Sequence, residues 1–475
     1  MSEGKLIHIM GTSSNAGKST ITMGICRILS DMGYSVSPFK AMNMSLNSIS
    51  TPDGYEISRS QWLQAKASRT VPDWKINPIL LKPEGSGKSQ VIFMGKSIGS
   101  RTIEDYGKLL RDEARSAVRE ALKSLLDTYD VVVAEGSGSA AEINLYDRDL
   151  ANTWLTSEFK GTGILVTNIE NGGAFSSLYG TKSLAQFPEV LKYFIINNMR
   201  GSTELLRYGI EKISSMTGML SMGVIPHMEN SKLPGEDSLD YSNINGTKVG
   251  IIRYPYFENY SDIDPLIQMG LGKYITSPEQ LETVDSILLP GSKNVYEDLD
   301  FIIKTGLGKK ITEFHEKGLK IIGICGGYQI LSRSIKDPGN VQLPVSEIKG
   351  LGLLDTDFIY NSKKEISEVK YEGSLGNLPI TGTAYFIHYG REQRKNDDKF
   401  VNTGRGPEGS ISSDGKIIGT NLHGILENSN VFHWFTGLQR SRSYEETLED
   451  NIQSFSRNLS VNLKRELLMQ IVNGT

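Results

Sequence analysis

The stretch Gly11-Thr12-Ser13-Ser14-Asn15-Ala16-Gly17-Lys18-Ser19-Thr20 constrains the fold of this chain more than any other. It follows directly on the apolar run Leu6-Ile7-His8-Ile9-Met10 and leads into Ile21 to Asp31, which reads as a helix. Strand, glycine-bearing loop, Lys-Ser and helix are the parts of a phosphate cradle. Backbone N–H groups and the helix N-terminus face the anion, the lysine reaches the terminal phosphates, and a hydroxyl holds Mg²⁺. Gly11, Thr12, Asn15, Ala16, Gly17, Lys18, Ser19 and Thr20 are therefore the candidate ATP-binding residues, with Ser19 as the Mg²⁺ hydroxyl. The spacing departs from the usual motif, with five residues instead of four between Gly11 and Gly17. The competing reading is a Gly/Ser turn that merely caps a helix.

Further short apolar runs alternate with helix-length segments: Asp130-Val131-Val132-Val133-Ala134, Gly163-Ile164-Leu165-Val166 and Tyr193-Phe194-Ile195-Ile196. Such β-branched runs predict parallel strands buried on both faces and joined by helices, an α/β domain. Glu135 stands where the run Asp130 to Ala134 ends, the end at which ligands of open α/β sheets bind, and is the candidate carboxylate ligand of the metal. Asp147-Arg148-Asp149 reads equally as a functional cluster or a solvated charge run.

A polar, turn-rich stretch from Leu233 to Gly246 precedes a second α/β series that opens at Lys248-Val249-Gly250-Ile251-Ile252. The expected division is 1–235, 247–440 and a C-terminal capping helix over 441–475, with the boundary near residues 230 to 247. In the second part, Gly323-Ile324-Cys325-Gly326-Gly327-Tyr328-Gln329 follows a strand with the logic of a nucleophile elbow. Flanking glycines let the chain turn sharply and hold the thiol at a helix N-terminus, which favours a thiolate. Backbone N–H groups of Gly326 and of Gly291, in Pro290-Gly291-Ser292, are the candidate oxyanion hole. Among His8, His227, His315, His388, His423 and His433, the expected base is His423, which follows a strand and precedes a glycine turn. Cys26 lies on an apolar helix face beside Ile25 and Ile28 and reads as core packing.

Composition narrows the function class. A chain of 475 residues with 38% hydrophobic and 22% charged residues belongs to the globular class. A formal net charge of -4, with Lys and Arg spread along the chain, marks neither a nucleic-acid surface nor a polybasic membrane patch. Only two cysteines occur, Cys26 and Cys325, which excludes a disulfide framework and suits a reducing compartment. With no signal-peptide pattern and no apolar run approaching the ~20 residues that span a bilayer, the chain is expected to be soluble and cytoplasmic.

Several longer segments carry a family resemblance. They are the Gly11 to Thr20 loop, Pro38-Phe39-Lys40-Ala41-Met42-Asn43-Met44-Ser45-Leu46-Asn47-Ser48, Asn77-Pro78-Ile79-Leu80-Leu81-Lys82-Pro83, and Glu135-Gly136-Ser137-Gly138-Ser139 with Ala141-Glu142-Ile143-Asn144-Leu145. Leu289 to Asn294, Gly323 to Gln329 and Leu422-His423-Gly424 continue it. Together they resemble the cobyric acid synthases of cobalamin biosynthesis over nearly the whole chain. The resemblance implies a dethiobiotin-synthetase-like P-loop domain followed by a class I-like glutamine amidotransferase domain. It implies amidation of the b, d, e and g carboxylates of adenosylcobyrinic acid a,c-diamide with glutamine and ATP. By motif, Lys18, Ser19 and Glu135 become ATP and Mg²⁺ ligands, Cys325 the nucleophile and His423 its base. Lys40, Asn43 and Asn47 fall in the segment expected to face the corrinoid.

The chain departs from the family pattern at Asn168, Asn171, Asn198 and Phe386, where an Asp, an Arg, a Lys and a Glu are usual. Ile425 stands two residues after His423, where many amidotransferases carry a Glu, and Glu427 is the nearest downstream carboxylate. The rivals are the related synthase acting on the a and c carboxylates and, from another class, a P-loop nucleotide switch of the partitioning ATPase type. The latter leaves the thiol domain unexplained.

Overall fold

The computed structural model describes residues 4–85, 87–102, 105, 113–228, 233–235 and 244–474. Most of the expected linker near 230 to 247 therefore lies outside the described residues. The chain forms two compact units, one of Met1–Ser45, Ile57–Leu233 and Leu448–Thr475, the other of Leu46–Glu56 and Pro234–Thr447.

The first unit is built on a six-stranded sheet ordered Leu220–Pro226, Leu191–Met199, Thr162–Asn168, Lys5–Gly11, Val131–Glu135, Val36–Phe39. Every pairing in it is parallel. All five residues of Val131–Glu135 are buried, as a strand covered on both faces must be. The C-terminal ends of Lys5–Gly11, Val131–Glu135 and Val36–Phe39 are neighbours at one sheet edge, and the phosphate loop, Glu135 and Lys40 follow from them.

Where the sequence predicts one capping helix over 441–475, the structure has two, Tyr444–Asn462 and Arg465–Asn473. The break falls where Leu463 bridges antiparallel to Gly223 and the Lys464 N–H donates to Met222 O at 2.7 Å. This segment belongs to the first unit for physical reasons visible on the helix Lys18–Asp31. Arg27 is fully buried and its guanidinium grips the Glu449 carboxylate with both terminal nitrogens. Leu459 and Phe455 occupy the space over Gly24.

The second unit carries an eleven-stranded sheet. Its parallel half runs Gly272–Ile275, Val249–Ile252, Ser286–Leu289, Lys320–Ile324, Ile417–Thr420. Antiparallel strands extend it, including a hairpin of Thr356–Leu375 and Leu378–Arg394 that sequence periodicity does not announce. Within that hairpin Tyr360 pairs with Gly390 but Glu365 with His388, so residues 361–364 bulge out of register. A bulge of this kind redirects side chains, and here it turns Lys364 towards the cavity at Cys325.

Candidate functional sites

In the first unit, Gly17 caps the helix Lys18–Asp31 with φ +97°, and a Cβ there would stand 2.0 Å from Asn197 Nδ2. Only glycine fits that turn. The loop is tied to side-chain amides from neighbouring strand ends. Asn197 Nδ2 donates to Ala16 O at 3.1 Å, and Asn168 Nδ2 to Asn15 O at 3.3 Å. Asn168, one of the departures from the family pattern, thus shapes the loop through its amide.

Lys18 is buried, and its ammonium donates to Ser13 O and Gly138 O at 2.9 Å each. Ser19 Oγ donates to Glu135 Oε1 at 2.8 Å. The Thr20 hydroxyl donates to Gly17 O at 3.0 Å, and the Thr12 N–H is committed to Val166 O at 2.9 Å. Thr12 therefore closes the strand edge and does not offer its N–H to a phosphate. Glu135, 1% exposed, also receives the Lys40 ammonium at 2.6 Å and Gln64 Nε2 at 2.5 Å. A hydroxyl and a carboxylate in contact are hard oxygen donors of the kind Mg²⁺ prefers when phosphates and water complete its shell.

Lys40, Asn43 and Asn47, expected together on the corrinoid side, have three different environments. Lys40 is on Glu135. Asn43 Nδ2 donates to Ser58, Ser60 and Gln61 within the first unit. Asn47 belongs to the second unit, where its Oδ1 accepts the Ser261 N–H at 3.4 Å. Of the charged cluster, Asp147 and Arg148 are exposed, while Asp149 accepts the Ala151 N–H at 2.9 Å. Cys26 is fully buried, and burial raises its pKa beyond the range in which a thiolate forms.

In the second unit, Cys325 sits at φ 51°, ψ -108°, a conformation that costs an L residue of order 1–3 kcal/mol and that clusters at functional sites. The helix Gly326–Leu331 begins immediately after it. A Cβ on Gly326 would meet the Ser292 backbone nitrogen at 2.6 Å, so the glycine is required by close approach. Gly291 pairs with Glu258 in a short antiparallel ladder, and a Cβ there would lie 3.5 Å from the His423 ring. Gly291, Gly326, Cys325 and His423 are thus brought together because Lys320–Ile324 and Ile417–Thr420 are adjacent strands with Ile324 opposite Thr420.

His423 is fully buried, and its backbone exchanges hydrogen bonds with Tyr385, whose ring stacks on the imidazole at 5.2 Å. Its Nδ1 lies 2.7 Å from Asp262 Oδ2, while Asp262 Oδ1 accepts the Gly424 N–H at 2.8 Å. Burial acts to lower the imidazole pKa, but the charge and hydrogen bond of Asp262, with those of Cys325, raise it to about 10. The carboxylate on this histidine comes from Asp262, not from Glu427. Sequence reasoning missed it because the two residues are 161 positions apart; the only local sign is an Asp in a short polar stretch early in the thiol domain. By contrast, His388 is pushed by burial down to about 4, with its Nδ1 2.7 Å from Gly390 O. Phe386, another departure, packs edge-on against that ring at 5.3 Å.

Beside the thiol, Cys325, Gln329, Tyr360, Lys364, Ile387 and His388 line a cavity of about 30 Å³. That is room for a water.

The arrangement predicts a pH signature. Asp262→Asn removes the charge that holds His423 protonated, so the basic limb of glutamine hydrolysis is expected to fall from near 10 by about 1–3 units. Glu427→Gln should leave the limb in place. A pH–rate profile of glutamate release measures both.

Two family models match the chain: the CobQ/CobB/MinD/ParA nucleotide binding domain over residues 7–239 and the CobB/CobQ-like glutamine amidotransferase domain over 248–431. The "Probable cobyric acid synthase" of Picrophilus torridus is 46% identical over 99% of both chains. That of Thermoplasma acidophilum is 44% identical over 95% of this chain and 96% of its own. The Methanosarcina mazei protein of the same name is 40% identical over 90% of each. A crystal structure of a glutamine amidotransferase covers 40% of this chain and 99% of its own at 19% identity and a TM-score of 0.33. Among the described residues no helix is long and apolar enough to cross a membrane. The nucleotide-binding model alone fits a switch protein as well as a ligase, but the full-length relatives share both domains, and on that basis the chain belongs to the cobyric acid synthase family of glutamine-dependent amide ligases.

Proposed function

We propose that this chain amidates the b, d, e and g carboxylates of adenosylcobyrinic acid a,c-diamide, consuming glutamine and ATP at each. The observation that carries the reading is the joint presence in one chain of a phosphate loop with Ser19 on Glu135 and a strained Cys325 beside a histidine–aspartate pair.

Condensing a carboxylate with ammonia in water is uphill, so the carboxylate must first attack the γ-phosphate of ATP to become an acyl phosphate. Lys18 neutralises charge on the terminal phosphates, the loop N–H groups fix the chain of phosphates, and the Glu135–Lys40–Gln64 cluster holds Ser19 in place. Ser19 and Glu135 would hold Mg²⁺, which when bound supplies Lewis-acid stabilisation of the phosphoryl oxygens. In the second unit, the Cys325 sulfur attacks the glutamine carboxamide carbon. His423 delivers the proton to the departing ammonia, and Gly291 and Gly326 offer N–H groups to the oxyanion. Water, deprotonated by His423, then releases glutamate from the thioester. Ammonia attacks the acyl phosphate and expels phosphate.

One site can serve four similar propionates only by releasing and rebinding the ring in different orientations, so partly amidated corrinoids should accumulate. With the a,c-diamide, ATP and glutamine, mass spectrometry is expected to show corrinoid masses falling about one unit per step as each –OH becomes –NH₂, ending after about four additions with about one ATP used per amide. If the enzyme ignored the a,c-diamide and amidated the a and c positions of cobyrinic acid, the substrate assignment would pass to the related synthase.

A further inference from the structure

The chain leaves the nucleotide-binding unit after Ser45, runs through Leu46–Glu56 in the amidotransferase unit, and returns at Ile57. The excursion is firmly held. Leu46 packs against the apolar core of the amidotransferase unit. Glu56, fully buried, is ion-paired to Lys364 at 2.8 Å and accepts the Ser48 hydroxyl at 2.9 Å.

Its other end meets Asn259. The Ser48 N–H donates to Asn259 Oδ1 at 3.2 Å, and the Asn259 N–H donates to Leu46 O at 3.3 Å. Asn47 receives the N–H of Ser261, two residues on. Asn259 itself is fully buried and sits in the left-handed region at φ 55°, ψ 57°, a conformation Asn tolerates better than most residues. Its Nδ2 lies 3.2 Å from His423 Nε2 and 3.4 Å from Nδ1. Near-equal approach to both ring nitrogens puts the amide against the ring face, since an in-plane donor at those distances would collide with the carbon between them. One carboxamide thus has its oxygen on the excursion and its nitrogen on the catalytic imidazole. Asp262 follows Asn259 by three residues in the same turn, its N–H bonded to Asn259 O at 3.1 Å, so a displacement of Asn259 moves both groups that orient His423.

We propose that Asn259 is a positioning residue for His423 that makes glutamine hydrolysis depend on the placement of Leu46–Glu56, and through it on acceptor occupancy of the nucleotide-binding unit. The dependence on acceptor rests on the function proposed above. The segment is joined through the chain to the nucleotide-binding unit at both ends, at Ser45 and at Ile57, and that double connection is the link on which the dependence rests. This differs from the role that sequence suggests for Asn47, which on this account holds the glutaminase turn instead of contacting the corrinoid.

The test compares wild type, Asn259→Ala and Asn259→Gly, the latter keeping the left-handed backbone without strain. Glutamate release is measured with and without ATP plus the a,c-diamide, alongside ammonia-supported amidation. Wild type is expected to be accelerated about 5-fold or more by the acceptor pair, a usual size for coupling between sites. Both variants should lose that acceleration and have a lower kcat for glutamine, with ammonia-supported amidation retained. The basic limb of their pH profile should stay where it is in wild type, unlike that of Asp262→Asn. Unaltered acceleration in Asn259→Ala, wild-type behaviour in Asn259→Gly, or a parallel fall in ammonia-supported amidation would each overturn the proposal. Absence of any amidation by wild type with ammonia would instead count against the function proposed above, and the kcat and pH arms would still test the positioning of His423.

Discussion

Replacing Cys325 by Ser is expected to cut glutamine-supported amidation by about three orders of magnitude or more, while ammonia-supported amidation stays close to wild type. The serine hydroxyl keeps the shape of the elbow, whose glycine at 326 and φ of 51° at residue 325 are backbone properties that the substitution does not disturb. What it loses is the sulfur nucleophile. An alcohol beside an imidazole that Asp262 holds protonated has no base available to it, so the raised pKa of His423 works against activating a hydroxyl. On the proposed function the acyl phosphate forms on residues of the other compact unit, so supplying ammonia directly should bypass the lesion. Measuring corrinoid amidation with each nitrogen donor decides the matter. Equal loss with both would mean that the division of labour between the units is wrong.

The parts of this molecule that sequence makes legible are those whose geometry is local. The phosphate loop, the strand ending at Glu135 and the elbow at Cys325 are each a run of adjacent residues whose conformational needs show in their composition: Gly17 for a positive φ, Gly326 for a close approach, Val131 to Ala134 for burial on both faces. His423 is legible one step less directly, as a residue at the end of a strand in the same domain as the thiol.

What sequence hides is contact at long separation. Asp262 reaches His423 across 161 positions, and no periodicity or motif singles it out from the other acids of that region. Glu427 is nearer in sequence, but the turn that follows Gly424 at φ 82° is closed by Asp262, whose Oδ1 takes the Gly424 N–H. The hairpin Thr356–Leu375 with Leu378–Arg394 is hidden for a different reason. In Thr356–Leu375 the polar bulge at residues 361–364 confines the alternation to a short run from Ser367 to Glu372, and in Leu378–Arg394 five consecutive residues, Ala384 to His388, are buried, so neither strand shows a period of two along its length. The excursion Leu46–Glu56 is hidden because a motif read as continuous, Pro38 to Ser48, is divided between two compact units.

Lys18→Ala is expected to lower amidation with either nitrogen donor by about 10²–10³, the usual consequence of removing one preorganised charge from a transition state. In the structure the ammonium is held by Ser13 O and Gly138 O, one carbonyl from the loop itself and one from the turn after Glu135, so it ties the loop to that turn. The alanine side chain removes that charge and leaves both carbonyls without it. A defect confined to nucleotide affinity would yield to saturating ATP. Loss of charge on the phosphoryl group in flight would not, and the deficit should persist in kcat as ATP is raised. Glutamine hydrolysis measured without acceptor should be retained, because Cys325, His423 and Asp262 belong to the other unit. Lys18→Arg separates the remaining alternatives, since it keeps the charge but changes its reach and its geometry at the phosphates. A Lys18→Ala enzyme that amidates the corrinoid at the normal rate with saturating ATP would show that the loop is not where the carboxylate is activated, and Lys40, the buried cation paired with Glu135, would become the first residue to replace.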